Sequence, residues 1–503
     1  MSKQQTPHLY NQSLSLLTDF YQITMSYGYW KSGLSEKEAV FHHFFRRAPF
    51  AGGFTIACGL ESLVDYLKNF KFDLSDLEYL ETLKTPEGSI LFEKEFLDYL
   101  EKIEFSCDID AVPEGTVVFP YEPLVRVSGP LIQCQILESP LLNLMNFPSL
   151  IATKAARICL AAKGDEVIEF GLRRAQGIDG AMTASRSAYI GGCHSTSNVL
   201  AGKVFGIPVK GTHSHSWVMA FDEEIESFRA YAKCMPSDCV FLVDTFDTIQ
   251  GVKNAIEIGH VLKAEGKSLL GIRLDSGDLS YLSIVSRKLL DDAGFKTTKI
   301  IASNQLDERI ISELKRQGAQ INVWGVGTNL VTGNEQPALD GVYKLSALRD
   351  KGKDWVYKIK LSEQMIKISN PGILQVRRFS KLQENVADVI YDIQHKPEKE
   401  WVSVDPFDST KQKMIHSNLE GKDLLVPIFK NGKLVYSLPK LGCIRANTIK
   451  ELEGFNAGIK RFLNAHQYSV GLEKSLYDKK IELIKKLRIK SSENIDHSGI
   501  ENS

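Results

Sequence analysis

A chain of 503 residues can bury a large core and spans two or three domains by length, which excludes a single small module. Lys and Arg total 61 against 62 Asp and Glu, so no net field draws the protein to nucleic acid or an anionic membrane, and any phosphate recognition must be local. No uninterrupted apolar run approaches the ~18 residues of a membrane span, the start lacks the order of a secretory signal, and the eight cysteines contain no CxxC pair; a reduced, soluble, cytoplasmic protein is expected.

In chain order, the region before 135 is mixed in pattern, with strand-like runs GTVVFP and PLVRVS. From about 150 to 345, short apolar runs alternate with longer stretches of helical spacing, the pattern of repeated βα units and a parallel sheet. The predicted strands are VIEFGL (167 to 172), IPVKGT (207 to 212), VFLVDT (240 to 245), LLGIRL (269 to 274), KIIAS (299 to 303) and INVWGV (321 to 326). Three predicted helices, beginning TIQGVK, DLSYLS and LDERII, end at Gly266, Gly294 and Gly318, as left-handed C-caps would. After 350 strand-like runs return, among them LLVPIF, and the last dozen residues form a polar tail expected to be disordered. The expected organisation is residues 1–135 as the N-terminal part of an α/β domain and 136–349 as an irregular TIM-like α/β barrel. Residues 350–445 complete the second domain, and 446–503 form a helical segment and tail.

Ligands of parallel βα folds gather at the carboxyl ends of the strands, which here read FGLRR, GTHSHS, DTFD, RLDSGD, SNQLDE and GVGTN. The HxH doublet His213 and His215 has three readings. Alternation along a strand would put both imidazoles on one side, where they could hold a metal; either could also be packed, or do chemistry. The metal reading needs more ligands at later strand ends, and the later histidines lie elsewhere. In GIRLDSGDL, Ser276 or Asp278 suits a helix N-cap, but Arg273 and Asp275 in an apolar strand are costly without partners or a ligand. Phe170 with the two arginines of FGLRR, Arg173 and Arg174, suits a flat anionic ring or is a core Phe with surface-paired arginines. The small residues of GVGTN, with Thr328, offer backbone amides to a phosphate or make an ordinary tight turn. No GxxxxGK[ST] loop occurs.

Together the stretches LLTDFYQITMSYGYW, FFRRAPFAGGF, EFGLRRAQG, ASRSAYIGG, TSNVLAGKVFGIPVKGTHSHSWV, GIRLDSGDL, SNQLDE and GVGTNLVTG resemble the nicotinate phosphoribosyltransferase family, in family order across residues 14 to 345. The resemblance implies a two-domain type II phosphoribosyltransferase fold. It implies transfer of phosphoribosyl from phosphoribosyl pyrophosphate to nicotinic acid, giving nicotinate mononucleotide for NAD salvage, with ATP hydrolysis coupled through a phosphohistidine at His215. It further implies that Tyr21 and Phe170 sandwich the pyridine ring, that Arg173 and Arg273 lie near the substrates, and that Thr212 contacts nicotinate. Gly325, Gly327 and Thr328 would receive the ribose 5-phosphate, and Arg46 and Lys344 would contact phosphates. Asp244 and Asp275 are the candidates to stabilise charge on the ribose. Mg2+ is expected on the pyrophosphate, held by one or two carboxylates rather than a dedicated metal cluster. A homodimer is implied, with Asp19 and Tyr21 reaching into the partner's site. Asn198 stands where nicotinamide-specific relatives carry an aspartate, which implies preference for the acid. The competing classes are a metal-dependent barrel hydrolase and a catalytically dead nucleotide-binding relative.

Overall fold

The computed structural model describes residues 13–498, with side chains through 489. Six strands form one wholly parallel sheet: β1 (Glu166–Glu169), β2 (Ser195–Thr196), β3 (Cys239–Leu242), β4 (Leu269–Leu274), β5 (Lys299–Ala302) and β6 (Val323–Val326), in the order β2-β1-β6-β5-β4-β3. Their core side chains, Phe241, Ile272, Ile300 and Trp324 among them, are fully buried beneath flanking helices. This accounts for their near-continuous apolar reading. The predicted helices are Thr248–Ala264, Leu279–Asp292 and Glu308–Arg316, and the glycines after them have φ of 70° (Gly266), 83° (Gly294) and 84° (Gly318).

The stretch IPVKGT departs from expectation: it is not a ladder strand. Its backbone pairs on one side only, where Thr196 N–H donates to Pro208 O and Lys210 N–H to Thr196 O, each at 3.0 Å. Pro208 has no N–H to extend that ladder. On its other side the chain meets β3 through a side chain, Leu242 N–H donating to His213 Nε2 at 3.2 Å. The sheet therefore stays an open half-barrel, and the gap between β2 and β3 is bridged by an imidazole where a closed barrel would use a carbonyl.

The 25-residue helix Glu138–Ala162, with Pro148 inside it, lies between this half-barrel and the rest of the molecule. It carries two fully buried cations that share one carboxylate, Lys154 Nζ at 2.7 Å and Arg157 Nε at 2.8 Å from Glu308.

A seven-stranded sheet contains Glu38–Phe45, Val125–Pro130 and Asp108–Ala111 from the N-terminal region, with Val426–Lys430 from the far end of the chain. It also contains Gly341–Arg349, paired antiparallel with Glu38–Phe45, so this strand belongs here and not to the barrel. Six other strands between residues 374 and 473 build a further sheet, so the C-terminal region only partly completes the N-terminal one. The final helix, Lys474–Ser498, runs through most of the tail expected to be disordered; residues 499–503 lie outside those described. Among the described residues no helix is long and apolar enough to cross a membrane.

Candidate active site

The strand ends converge on Asp275. Arg273, near the end of β4, donates from Nη2 to Asp275 Oδ1 at 2.8 Å, from Nε to Ser303 Oγ at 2.8 Å and from Nη1 to Thr212 Oγ1 at 3.0 Å. Ser303, just past β5, also donates to Asp275. Burial alone would raise the Asp275 carboxyl, but hydrogen bonds from Ser303 and Arg273 outweigh it and hold the group below its ordinary pKa. Asp244, two residues beyond β3, fixes the backbone here: its Oδ2 accepts Asp275 N–H and Ser276 Oγ–H, both at 2.7 Å. Its Oδ1 is buried without a hydrogen-bond partner. Asp278 caps the next helix, accepting Tyr281 N–H at 3.0 Å.

The HxH doublet divides. The chain turns into the short helix His215–Met219, so strand alternation ends before the second imidazole and the two do not converge on a metal. His213 faces Tyr231 and Phe241, and burial lowers its pKa to about 4, consistent with a neutral ring whose Nε2 accepts Leu242 N–H. His215 faces the strand ends: Nδ1 is 3.1 Å from Thr245 Oγ1, and Nε2 is 3.9 Å from Asp275 Oδ2. With Nδ1 held, Nε2 is the nitrogen left for chemistry. Among the described residues no group of three or more His, Cys, Asp or Glu is placed to hold a metal ion.

Phe170 lies under the Arg273 guanidinium at 5.6 Å and packs on the GVGTN turn so closely that a Cβ at Gly325 would come within 2.6 Å of the ring. Gly327 sits against the Phe170 carbonyl, and Thr328 begins the next short helix. Arg173 is exposed beside them. Thus Phe170, Thr212, His215, Asp244, Arg273, Asp275, Gly325, Gly327 and Thr328 share one mouth, with Arg173 on the exposed turn that follows Phe170.

Asp19, Tyr21, Arg46 and Lys344 form a separate set. Asp19 accepts Ser139 Oγ–H at 2.5 Å, and Asp19, Tyr21 and Glu138 line a groove of about 530 Å³ that the barrel-mouth residues do not reach. Lys344 Nζ lies 3.9 Å from Glu138. Burial, together with nearby Lys360 and Arg46, lowers the Lys344 pKa against the pull of Glu138. Burial and Glu138 raise that of Tyr21. Among the described residues no hydrogen bond or ion pair joins this set to the barrel mouth.

Asn198 faces into the protein. It is 2 % exposed and its carboxamide is used internally, Oδ1 accepting Ala201 N–H at 3.2 Å as the N-cap of helix Val199–Phe205 and Nδ2 donating to Ser185 Oγ at 3.2 Å. Helix starts favour asparagine for this reason, and its second Nδ2 hydrogen faces Met182 Sδ at 3.7 Å. Ser303 and Thr245 stand in the polar strand ends SNQLDE and DTFD, but no spacing or motif singles them out from their neighbours.

Models of the nicotinate phosphoribosyltransferase N-terminal domain, family region and C-terminal domain match residues 16–146, 166–370 and 374–480. The chain belongs to the nicotinate phosphoribosyltransferase family. It is 42% identical to the nicotinate phosphoribosyltransferase of Bacillus subtilis, with 97% of this chain and 98% of the relative aligned. To that of Caenorhabditis elegans it is 38% identical, covering 92% of each. The crystal structure of human nicotinic acid phosphoribosyltransferase superposes with a TM-score of 0.80 at 30% identity, covering 93% of this chain and 99% of that one. The coverage extends past residue 350, so the family assignment includes the C-terminal sheet.

Proposed function

We propose that this chain transfers phosphoribosyl from phosphoribosyl pyrophosphate to the ring nitrogen of nicotinate, releasing pyrophosphate and forming nicotinate mononucleotide in NAD salvage. The observation that carries the reading is the Arg273–Asp275 pair, held by Ser303 and Thr212 beside the Phe170 ring at the carboxyl ends of parallel strands. As the bond from the anomeric carbon to pyrophosphate breaks, positive charge develops on the ribose. A carboxylate kept charged by its neighbours, Asp275, stabilises that charge without reorganising. Phe170 and Arg273 supply a flat face and a cation for an anionic aromatic ring.

ATP enters through His215. Thr245 orients Nδ1, so Nε2 attacks the γ-phosphoryl group, forming an N–P bond as ADP departs, and Asp275 stabilises the imidazolium character that develops. The hard, unpartnered Asp244 Oδ1 and Asp275 Oδ2, which faces His215 Nε2 at 3.9 Å, fit Mg2+ bound largely by substrate phosphates. The ion would supply charge neutralisation for the leaving pyrophosphate.

The second set, Asp19, Tyr21, Arg46 and Lys344, completes the site of a second copy in a homodimer. Exposed apolar side chains support this on both halves: Leu17, Phe20 and Met25 near the first set, and Leu172, Val199 and Val204 near the barrel mouth. The test of the ATP coupling is acid-labile phosphate on the protein after incubation with ATP. The wild type should carry it and His215→Ala should not; its absence from the wild type would end the phosphohistidine account.

A further inference from the structure

Glu169, the last residue of β1, is a carboxylate with 1 % exposure, and it takes part in none of the ion pairs among the described residues. Its partners are all hydrogen-bond donors. Oε1 accepts Gly171 N–H. Oε2 accepts Thr196 Oγ1–H at 2.6 Å and Ser185 Oγ–H at 2.9 Å, the carboxylate being a stronger acceptor for the Ser185 hydrogen than Ala181 O at 3.0 Å. Burying an unpaired carboxylate is costly, and nothing in the reaction as described above uses this one directly.

The partners indicate its purpose. Gly171 lies between Phe170 and Arg173, and it packs so tightly that a Cβ there would meet the Val331 side chain at 2.1 Å. Glu169 therefore clamps the turn that aims the aromatic ring. On its other oxygen it orients two hydroxyl groups so that their lone pairs face Asn198. Thr196 Oγ1 accepts Asn198 N–H at 2.9 Å, and Ser185 Oγ accepts Asn198 Nδ2–H at 3.2 Å. One relay thus runs from the Phe170 turn through Glu169, Ser185 and Thr196 to Asn198 and the start of helix Val199–Phe205.

We infer that Glu169 is a positioning residue for the ring-binding site, and that Asn198 governs nicotinate recognition through Glu169 rather than by touching the substrate. The inference rests on the proposed placement of nicotinate against Phe170. It has a chemical consequence: a hydroxyl has one hydrogen, so Ser185 cannot donate to carboxylates at 169 and 198 together. An acid at 169 requires a donor at 198. Exchanging the two groups, with an amide at 169 and an acid at 198, restores the Ser185 contact with its hydrogen reversed, while the Thr196 hydroxyl must turn its hydrogen away from position 169.

The experiment is a double-mutant cycle on steady-state KM values for nicotinate and phosphoribosyl pyrophosphate, using Glu169→Gln, Asn198→Asp and the double variant, with Phe170→Ala as a reference. Asn198→Asp should raise the nicotinate KM about tenfold or more and Glu169→Gln about threefold, while the double variant returns to within about threefold of wild type. The KM for phosphoribosyl pyrophosphate should stay within about twofold throughout. Losses that simply multiply in the double variant would overturn the shared relay. A fall in thermal midpoint without a change in nicotinate KM would make Glu169 structural only. If Phe170→Ala itself leaves the nicotinate KM unchanged, the ring placement is wrong; if only Phe170→Ala raises it, the placement stands and the positioning inference fails.

Discussion

Asp275→Asn removes one charge and almost no volume, so its effect isolates electrostatics. The native carboxylate accepts from the Arg273 guanidinium at 2.8 Å and from Ser303, and lies 3.9 Å from His215 Nε2. An amide cannot accept on both sides, and its NH2 must face either Arg273 or His215. A lost hydrogen bond to a charged group costs about 1.5–3 kcal/mol, and withdrawing preorganised stabilisation from a developing charge costs about 2.7–4 kcal/mol. With 29% exposure the Asp275 side chain is partly screened, so a loss of about 2–4 kcal/mol is expected, or roughly 30- to 900-fold at about 1.36 kcal/mol per tenfold. The loss should fall on kcat, because the charge develops in the transition state, with the nicotinate KM changed less than about threefold. Steady-state kinetics with saturating phosphoribosyl pyrophosphate measures this. A kcat within threefold of wild type would refute the role given to Asp275.

Three further outcomes follow from the geometry. His213 has an ordinary pKa of 6.5 and a folded value of about 4, so the unfolded chain binds the proton first; the stabilisation is fully present above pH 6.5 and is lost as pH falls toward 4, by about 3 kcal/mol at most. His42 and His194, lowered by burial in the same way, add in the same direction, and His213→Ala should flatten the dependence of the urea midpoint on pH across that window. Gly325→Ala places a methyl group 2.6 Å from the Phe170 ring and should raise the nicotinate KM about tenfold for about 1–3 kcal/mol of overpacking, read by kinetics alongside a thermal melt; an unchanged KM would show that the ring position is unimportant. Lys344→Ala and His215→Ala chains, each inactive in ATP-stimulated turnover, should recover about a quarter of wild-type activity when unfolded together and reassociated, since half the dimers then carry one intact site; no recovery would argue against composite sites.

The chemistry at the strand ends was legible because polar residues following apolar strands have few bland explanations: Arg273, Asp275 and His215 meet as their positions in the parallel repeat require. What sequence could not show was partnership across distance. His213 accepts a backbone N–H from Leu242, 29 residues on, and no periodicity marks a side chain that substitutes for a ladder carbonyl. IPVKGT reads as a strand by apolar content, while its single-sided pairing depends on Pro208 and on the barrel seam. The resemblance ties Asn198 to preference for the acid, while its capping of helix Val199–Phe205 is a local backbone requirement that the motif obscures. Glu169 drew no notice because one acid in VIEFGL looks like an exposed strand position, until its burial and donors are known. Gly341–Arg349 continues the alternation of the barrel in sequence yet pairs with Glu38–Phe45, Glu38 opposite Arg349 and Phe45 opposite Gly341, a contact across most of the chain that only the folded protein provides.

The most direct test of the account is formation of nicotinate mononucleotide from nicotinic acid and phosphoribosyl pyrophosphate with Mg2+, with and without ATP, and with nicotinamide and quinolinate as competing bases. The account predicts product from nicotinate alone, increased by ATP. Product from nicotinamide or quinolinate in preference, or none from any base, would contradict it.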